Sequence, residues 1–391
     1  MTFSRRRALA AGLGLLTASG LVRSGLAAPA QQASHPEFYF GADLSYVNEM
    51  EDCGAIYRQG GKRVDPYQLF ADTGHNLVRL RLWNNPDWTN YSNFDDVRRS
   101  MRRAKASRQA VLLDFHYSDD WADGDKQWIP KAWENIPTTE GLAAAVYQFT
   151  FDTLTKLAGE GLMPHMVQVG NETNKEMMGR KDWKWETRST DWVRNAALFK
   201  AGIKAVRDAG KATGTAPKIM LHIAQPENAE PWFAKAAEAG VTDFDYIGLS
   251  YYRKWSTQGL DGLNAAITRL SATYKAKVIV VETSYPWTND GADEAANLLG
   301  PDTLIKEYPA TPDGQLRYLV DLTQGVISHG GAGVVYWEPA WVSTSCKTRW
   351  GTGSHWENAT FFDFKRGNEA LPAFGYVRHP YVWPKKPLSA F

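Results

Sequence analysis

Short apolar, β-branched runs alternate with longer amphipathic stretches along most of this 391-residue chain. Residues 38–43, 77–82, 110–116, 167–172, 218–223, 246–251, 278–283 and 333–338 read as strands. Their hydrophobicity is nearly continuous rather than alternating, which marks strands covered on both faces. Between them the spacing predicts helices over 94–107, 142–159, 192–209, 229–239, 260–274 and 312–328. Another helix opens at Asp65-Pro66, as N-cap and first helical residue, and closes at Gly74. Asp191 and Thr311 are placed to cap two of the others. The 94–107 helix is strongly basic, and its Arg and Lys residues form a solvated outer face.

Eight strands alternating with helices, each strand followed by polar residues, predict an α/β fold: one (β/α)8 TIM barrel with extended βα loops. Length alone would also allow two smaller domains. No linker divides the chain and no repeat of solenoid length occurs, so residues 31–391 are taken as one catalytic domain. Its proline-rich tail, 378–391, is expected to wrap the surface.

The first 30 residues read differently. Ser4-Arg5-Arg6-Arg7 precedes a largely apolar run from Ala8 to Val22, and small residues follow through Ala30. That order is the order of a bacterial signal peptide. The arginines resemble a twin-arginine signal without its usual phenylalanine, so Tat and Sec routes both stay open. A membrane anchor is the weaker reading, because the apolar run is short and interrupted by glycine. The mature chain is expected outside the cytoplasm, periplasmic or extracellular, with no membrane attachment after cleavage.

A formal net charge of +1 argues against nucleic acid or an anionic membrane as partner. Sixteen Trp and seventeen Tyr are more than a core of this size needs. Aromatic faces stack on the C–H faces of sugar rings, so part of this excess points to a carbohydrate site and the rest to core packing. The chain has two cysteines, Cys53 and Cys346, and neither a CxxC nor an HExxH pattern, so no zinc site of the usual kinds is expected. In an exported protein the two can form one disulfide.

In a TIM barrel the chemistry gathers at the carboxyl ends of the strands. Asp43, His116, Glu172, His222, Tyr251, Glu282 and Trp337 fall at or near such ends. Val167-Gln168-Val169-Gly170-Asn171-Glu172 and Val278-Ile279-Val280-Val281-Glu282-Thr283 each bring an acid to the barrel mouth, on strands four and seven. Taken singly, such a glutamate is as readily a helix cap or a surface acid. Two in one barrel suggest paired-carboxylate hydrolysis of a glycosidic bond, retaining if the carboxyl groups lie ~5 Å apart. Spacing alone does not say which is the acid. Asn171 is placed to bond a substrate hydroxyl beside the reacting carbon.

Arg79 and Arg81 share one face of strand two; turned inward, a guanidinium would keep a carboxylate ionised, and turned outward it would be solvated. His116 either holds a loop or touches substrate, and Tyr251 either donates to a carboxylate or packs. Trp337 could floor a sugar pocket, whereas Trp83, Trp121, Trp287 and Trp341 could equally be loop packing.

The motifs that carry these residues are Gly41-Ala42-Asp43-Leu44-Ser45, Val78-Arg79-Leu80-Arg81-Leu82-Trp83-Asn84, and Asp114-Phe115-His116-Tyr117-Ser118-Asp119 with Trp121-Ala122-Asp123. Gly170-Asn171-Glu172, Val281-Glu282-Thr283, Tyr336-Trp337-Glu338-Pro339-Ala340-Trp341, and Trp356-Glu357-Asn358 before Phe362-Asp363 continue the series. Through them the chain resembles family 53 of the glycoside hydrolases, endo-β-1,4-galactanases of clan A, over nearly everything from Phe38 to Asp363.

The resemblance implies Glu172 as general acid/base and Glu282 as nucleophile, with retention of configuration. It also implies internal cleavage of β-1,4-galactan, the side chain of type I arabinogalactan and pectin. Substrate contacts would come from Asp43, Arg79, Arg81, Trp83, His116, Asn171, His222, Tyr251 and Trp337. No cofactor and no catalytic metal are implied, and a monomer is expected.

Some bacterial relatives hold a structural calcium between the loops after strands seven and eight. The corresponding loop here, 287–293, offers oxygen ligands without reproducing a calcium loop, which leaves the ion open. Fungal relatives cross-link those same loops, but this chain has no cysteine after strand seven. Cys53 follows strand one and Cys346 follows strand eight, neighbours once the barrel closes, so a Cys53–Cys346 disulfide is expected instead. Two rival readings stand: another clan A enzyme such as a β-mannanase, cellulase or xylanase, and a secreted sugar-binding barrel without catalysis. Retention of both glutamates argues against the second.

Overall fold

Eight parallel strands close on themselves because each is buried on both faces and none can be left at an edge. They are β1 (Tyr39–Asp43), β2 (Leu77–Leu82), β3 (Ala110–Phe115), β4 (Met166–Val169), β5 (Lys218–Ala224), β6 (Tyr246–Ser250), β7 (Lys277–Glu282) and β8 (Gly333–Tyr336). In the computed structural model, which describes residues 38–184 and 187–385, each strand pairs with its predecessor and β8 closes onto β1. The helices between them are α1 (Pro66–Thr73), α2 (Phe94–Ala106), α3 (Thr139–Gly159), α4 (Trp192–Thr213), α5 (Pro226–Glu238), α6 (Leu260–Tyr274) and α7 (Pro312–Ser328). A 3-10 helix, Pro372–Arg378, lies between α7 and α1, where another helix would complete the ring. The chain is a TIM barrel.

Local chemistry accounts for the helix starts. Asp65, Asn93, Thr138, Asp191 and Thr311 each accept a hydrogen bond from a backbone N–H of the first turn. Three ends differ from expectation: α5 opens at Pro226 rather than 229, with proline at the first helical position where no N–H is needed, and the other two follow their caps. α3 begins at Thr139 because Thr138 caps it, and α4 continues to Thr213 because the left-handed stop is Gly214, with φ 67°.

Three strand ends differ as well. β4 stops at Val169, β6 at Ser250 and β8 at Tyr336, so Glu172, Tyr251 and Trp337 lie in the loops just beyond the ladder. Gly170 at φ 83°, Glu172 at φ 44° and Glu338 at φ 48° are left-handed, a conformation no strand can carry.

Inside the barrel, the period of two sorts the side chains into layers. Tyr39, Leu77, Leu112, Met166, Met220, Tyr246 and Ile279 form an apolar plug at the lower end. Two residues further along β2, β3, β4 and β5 come Arg79, Asp114, Gln168 and His222, all buried, so a polar layer lies directly above the plug. Both Arg79 and Arg81 are therefore turned inward.

The described part of the tail lies against the barrel: Arg378 donates to the Thr73 carbonyl, Val382 and Gln324 exchange two hydrogen bonds, and Trp383 meets Phe38 at 5.5 Å. The signal segment expected over residues 1–30 and the last six residues, 386–391, lie outside the described residues. Among the described residues no helix is long and apolar enough to cross a membrane.

Cys53 and Cys346 form a disulfide, their Cα atoms 5.7 Å apart, joining the loop after β1 to the loop after β8. A small sheet ties the same regions again, pairing Tyr57–Gln59 and Lys62–Val64 with Phe362–Asp363 and Glu369–Ala370. The bond closes a sequence separation of 293 residues, so its loss releases a large unfolded-state constraint. Cys346→Ser is expected to lower unfolding free energy by about 2–4 kcal/mol in a denaturant titration. Unfolded wild type without reductant should show no free thiol.

Candidate active site

The polar layer is organised by Arg79. A guanidinium has five N–H donors, and here each has an acceptor. Nη1 meets Asp43 at 2.9 Å and Glu282 at 2.8 Å, Nη2 meets Asp114 at 2.8 Å and Asn171 Oδ1 at 2.7 Å, and Nε meets Gln168 Oε1 at 3.2 Å. Burial by itself would strip this group of its charge, but Asp114, Glu282 and Asp43 outweigh it and hold Arg79 above its ordinary range.

Glu282 closes β7. Its Oε1 takes the Arg79 ion pair and its Oε2 accepts from the Tyr252 hydroxyl at 3.0 Å. Glu172 reaches the mouth differently, on a left-handed backbone whose strain is on the order of 1–3 kcal/mol. Three bonds hold that backbone: its N–H donates to His222 Nδ1 at 3.3 Å, and its carbonyl accepts from Asn174 N at 2.7 Å and Gln127 Nε2 at 3.2 Å. Its Oε1 accepts from Ser250 Oγ at 2.5 Å. A carboxylate oxygen of Glu172, one of Glu282 and a ring nitrogen of His222 all lie within 4.8 Å of one another.

The two carboxyl groups have unequal surroundings. Burial, then the charge of Glu282, pushes Glu172 up to about 8. Burial also pushes Glu282 up, to about 7, with the Arg79 ion pair as the chief opposing influence. The pair holds its last proton on Glu172, the member without the guanidinium.

Above the pair lies a cavity of about 960 Å³, lined by loops following β3 to β8. Trp121, Trp337, Trp341 and Trp356 form an aromatic wall, and Trp255, Leu298 and Trp350 present exposed apolar surface into it. Arg81 holds part of that wall: its guanidinium is stacked 4.0 Å from the Trp121 ring and paired with buried Glu338 at 3.2 Å.

Of the residues singled out from sequence, Arg79, Arg81, His116, Asn171, Glu172, Glu282 and Trp337 line this cavity. Asp43 lies beneath it, under Arg79, and also accepts from Ser45 Oγ at 2.6 Å. His222 sits behind Glu172, and His116 is held by Asp114 at 3.0 Å.

Four expected substrate contacts are corrected, beginning with Asp43 and His222, which are wholly buried and outside the lining. Tyr251 does not reach a carboxylate; its hydroxyl donates to the Gln258 carbonyl at 3.1 Å. Trp83 is buried behind Trp121, 5.7 Å between rings, and takes no part in the lining. Trp287 is likewise buried loop packing, whereas Trp121 and Trp341 line the cavity.

The missed residues are Tyr252, Ser250, Gln168 and Asp114. The signal for the first two was parity: Gly248, Ser250 and Tyr252 share the inward face. A register slip between Leu249 and Ser250 sets Ser250 opposite Glu282 and obscures that reading.

A model of glycosyl hydrolase family 53 matches residues 39–377. The chain belongs to glycosyl hydrolase family 53. It is 55% identical over 349 residues to an arabinogalactan endo-β-1,4-galactanase of Cellvibrio japonicus (strain Ueda107), a match that covers 89% of this chain and 93% of the relative. Its fold is similar to that of the family 53 catalytic domain of Ignisphaera aggregans, with TM-score 0.80, 31% identity and coverage of 89% and 98% of the two chains. It is also similar to a structure of two fungal β-1,4-galactanases, with TM-score 0.74, 28% identity and coverage of 88% and 100%.

The calcium known in some members of the family does not suit the 287–293 loop of this family 53 chain. Asp290 is paired with the Lys365 ammonium, and Asp293 accepts from the Ser343 hydroxyl, Ser354 N at 2.9 Å and Ala295 N at 2.8 Å. Carboxylates committed to protein donors do not offer the all-oxygen shell a calcium takes. Nor does the Glu172, His222, Glu282 group offer one, since both ring nitrogens of His222 are engaged, Nδ1 by Glu172 N and Nε2 by Ser250.

Arg79→Met would leave three buried carboxylates without their cation. Its expected cost is about 3–5 kcal/mol in a denaturant titration. A loss below about 1 kcal/mol would show that the network is not the anchor of this layer.

Proposed function

We propose that this family 53 barrel hydrolyses internal β-1,4-galactosidic bonds of galactan and type I arabinogalactan with retention of configuration. Glu172 acts as general acid/base and Glu282 as nucleophile. The observation that carries this reading is the pair of carboxylates, Glu282 buried and Glu172 half-buried, whose oxygens lie within 4.8 Å. That separation matches the ~5 Å of retaining enzymes and falls short of the ~6.5–9.5 Å at which inverting enzymes place a water beside the sugar. The galactanase activity of the 55% identical relative supports the choice of sugar.

In the first step an ionised oxygen of Glu282 attacks the anomeric carbon. The glycosidic C–O bond breaks, and the proton of Glu172 moves to the departing oxygen. In the second, Glu172, now ionised, takes a proton from water, the water oxygen bonds to the anomeric carbon, and Glu282 leaves. Arg79 and Tyr252 favour the ionised form of Glu282 and hold its orientation. Every proton and electron pair comes from these two side chains and water, so the reaction as written uses no cofactor.

The cavity of about 960 Å³ is at the upper end of the ~300–1,000 Å³ typical of ligand pockets, in keeping with a chain of sugars stacked along Trp337 and its neighbours. All these groups come from one chain, in keeping with a monomer. Residues 1–30 are proposed to direct export by the Sec or Tat route, and the Cys53–Cys346 bond suits an oxidising compartment.

Linear β-1,4-galactan should be cut to oligosaccharides of falling size with the β-anomer formed first, while mannan and xylan stay intact. Cleavage of mannan or xylan in place of galactan would assign the barrel to a different sugar. Glu282→Ala should lower kcat/KM by about 10⁴-fold or more, and full activity in that variant would remove the mechanism.

The pH profile of kcat/KM should be bell-shaped. Glu282 must be ionised, so activity is lost as pH falls through about 7. Glu172 must be protonated, so activity is lost again as pH rises through about 8. Glu172→Gln should abolish the alkaline limb.

A further inference from the structure

Behind Glu172 runs a chain of buried polar groups that the two-step reaction does not itself use. His222 Nε2 lies 2.9 Å from Ser250 Oγ, which lies 2.5 Å from Glu172 Oε1. We propose that Ser250, locked in orientation by His222, is a positioning residue that dictates which oxygen of Glu172 carries the transferred proton. This rests on the assignment of Glu172 as acid/base.

The direction of the chain follows from its far end. The backbone N–H of Glu172 can only donate, and it points at His222 Nδ1 from 3.3 Å. Gln168 gives one amide hydrogen to Asp114 Oδ1 at 2.7 Å, which leaves the other for His222 Nδ1 at 3.0 Å, and Gln168 cannot be turned over, because its Oε1 is the acceptor for Arg79 Nε. Nδ1 is thus an acceptor. One contact argues otherwise: Asn171 Oδ1, itself an acceptor, also lies 3.0 Å from Nδ1. Arg79 Nη2 at 2.7 Å already donates to that oxygen, so it needs nothing from the ring.

With Nδ1 bare, a neutral His222 carries its proton on Nε2 and donates to Ser250 Oγ. Burial, helped by the nearby charge of Arg79, keeps the ring neutral. Ser250 has one hydrogen left, and it goes to Glu172 Oε1. That oxygen accepts a hydrogen bond in either state of the carboxyl group, so the acid proton belongs on Oε2. After the proton has gone, the same serine still stabilises the carboxylate. The charged groups acting on Glu172 besides these are Glu282 and Asp123, which favour the protonated form, and Arg79, which opposes it.

The test compares wild type, Ser250→Ala and Ser250→Cys on two substrates: galactan, whose leaving group needs a proton, and a 2,4-dinitrophenyl β-galactobioside, whose leaving group does not. A carbon-13 NMR titration of the Glu172 carboxyl in the free proteins is run alongside. Ser250→Ala should lose about tenfold or more in kcat/KM on galactan, part of the ~10²–10⁴-fold that acid–base catalysis supplies. On the activated substrate it should stay within about twofold of wild type.

Its alkaline limb and its Glu172 carboxyl titration should both move up by about one pH unit, the scale of one hydrogen bond to a charged group. Ser250→Cys, a weaker donor of similar shape, should fall between, and it carries the test should the alanine variant not fold. Equal losses on both substrates, or an unmoved carboxyl titration, would overturn the proposal. A displaced titration in a protein whose wild type leaves galactan intact would instead sink the assigned reaction and keep the relay.

Discussion

A single buried guanidinium holds this barrel's mouth together. Arg79 binds Asp43 from β1, Asp114 from β3 and Glu282 from β7, together with Gln168 of β4 and Asn171 just beyond it. Buried carboxylates gathered in one layer repel one another and lose hydration, and only a shared cation with all its donors used makes such a layer tolerable. The same arrangement separates two otherwise similar glutamates. Glu282 has the guanidinium and a tyrosine hydroxyl; Glu172 has burial, a serine and the charge of its partner. Unequal neighbours give one group the character of a base and the other that of an acid.

Above that layer the walls are aromatic, and they too depend on a cation. Arg81 lies over Trp121 and near Tyr46 and Trp83, while pairing with Glu338, a carboxyl that burial, together with the charge of Asp43, pushes well above its usual range. The loops carrying these tryptophans are also tied by hydrogen bonds, Ser354 to the Trp341 carbonyl and Ser284 to the Trp337 carbonyl among them. The Cys53–Cys346 bond and the small sheet of residues 57–64, 362–363 and 369–370 fix the loop after β8 to the loop after β1. Hairpin 347–352, which begins beside Cys346, brings Arg349 onto Asp120 and Trp88, and Trp350 within 6.4 Å of Trp121. Rigidity at the rim is thus covalent on one side and electrostatic on the other.

Much of this was legible in the chain. Runs covered on both faces announce barrel strands, and Asp65, Asp191 and Thr311 announce helix starts, because both signals are local. Leu77–Leu82 was readable to the residue, and its alternation placed Arg79 and Arg81 on one face. The two glutamates were readable as mouth residues from their place in the strand order, and the cysteine pair from the adjacency of the first and last strands. Tyr251 was misjudged for Tyr252, and Trp83 was given a substrate contact that Trp121 blocks. Asp114 lay inside a recognised motif and Gln168 inside the fourth strand's apolar run, yet both showed their importance only as partners of Arg79.

The sequence by itself determined the eight strands, their order, the barrel they close and the two acids at its mouth. It could do so because hydrophobic period and capping chemistry act over a few residues. Only the tertiary structure decided which side chains face the cavity at the strand ends. There the ladder stops, left-handed residues redirect the backbone, and the slip between Leu249 and Ser250 resets which residue stands opposite Glu282. That outcome depends on pairing with a strand about 30 residues away, and no periodicity within one segment carries it.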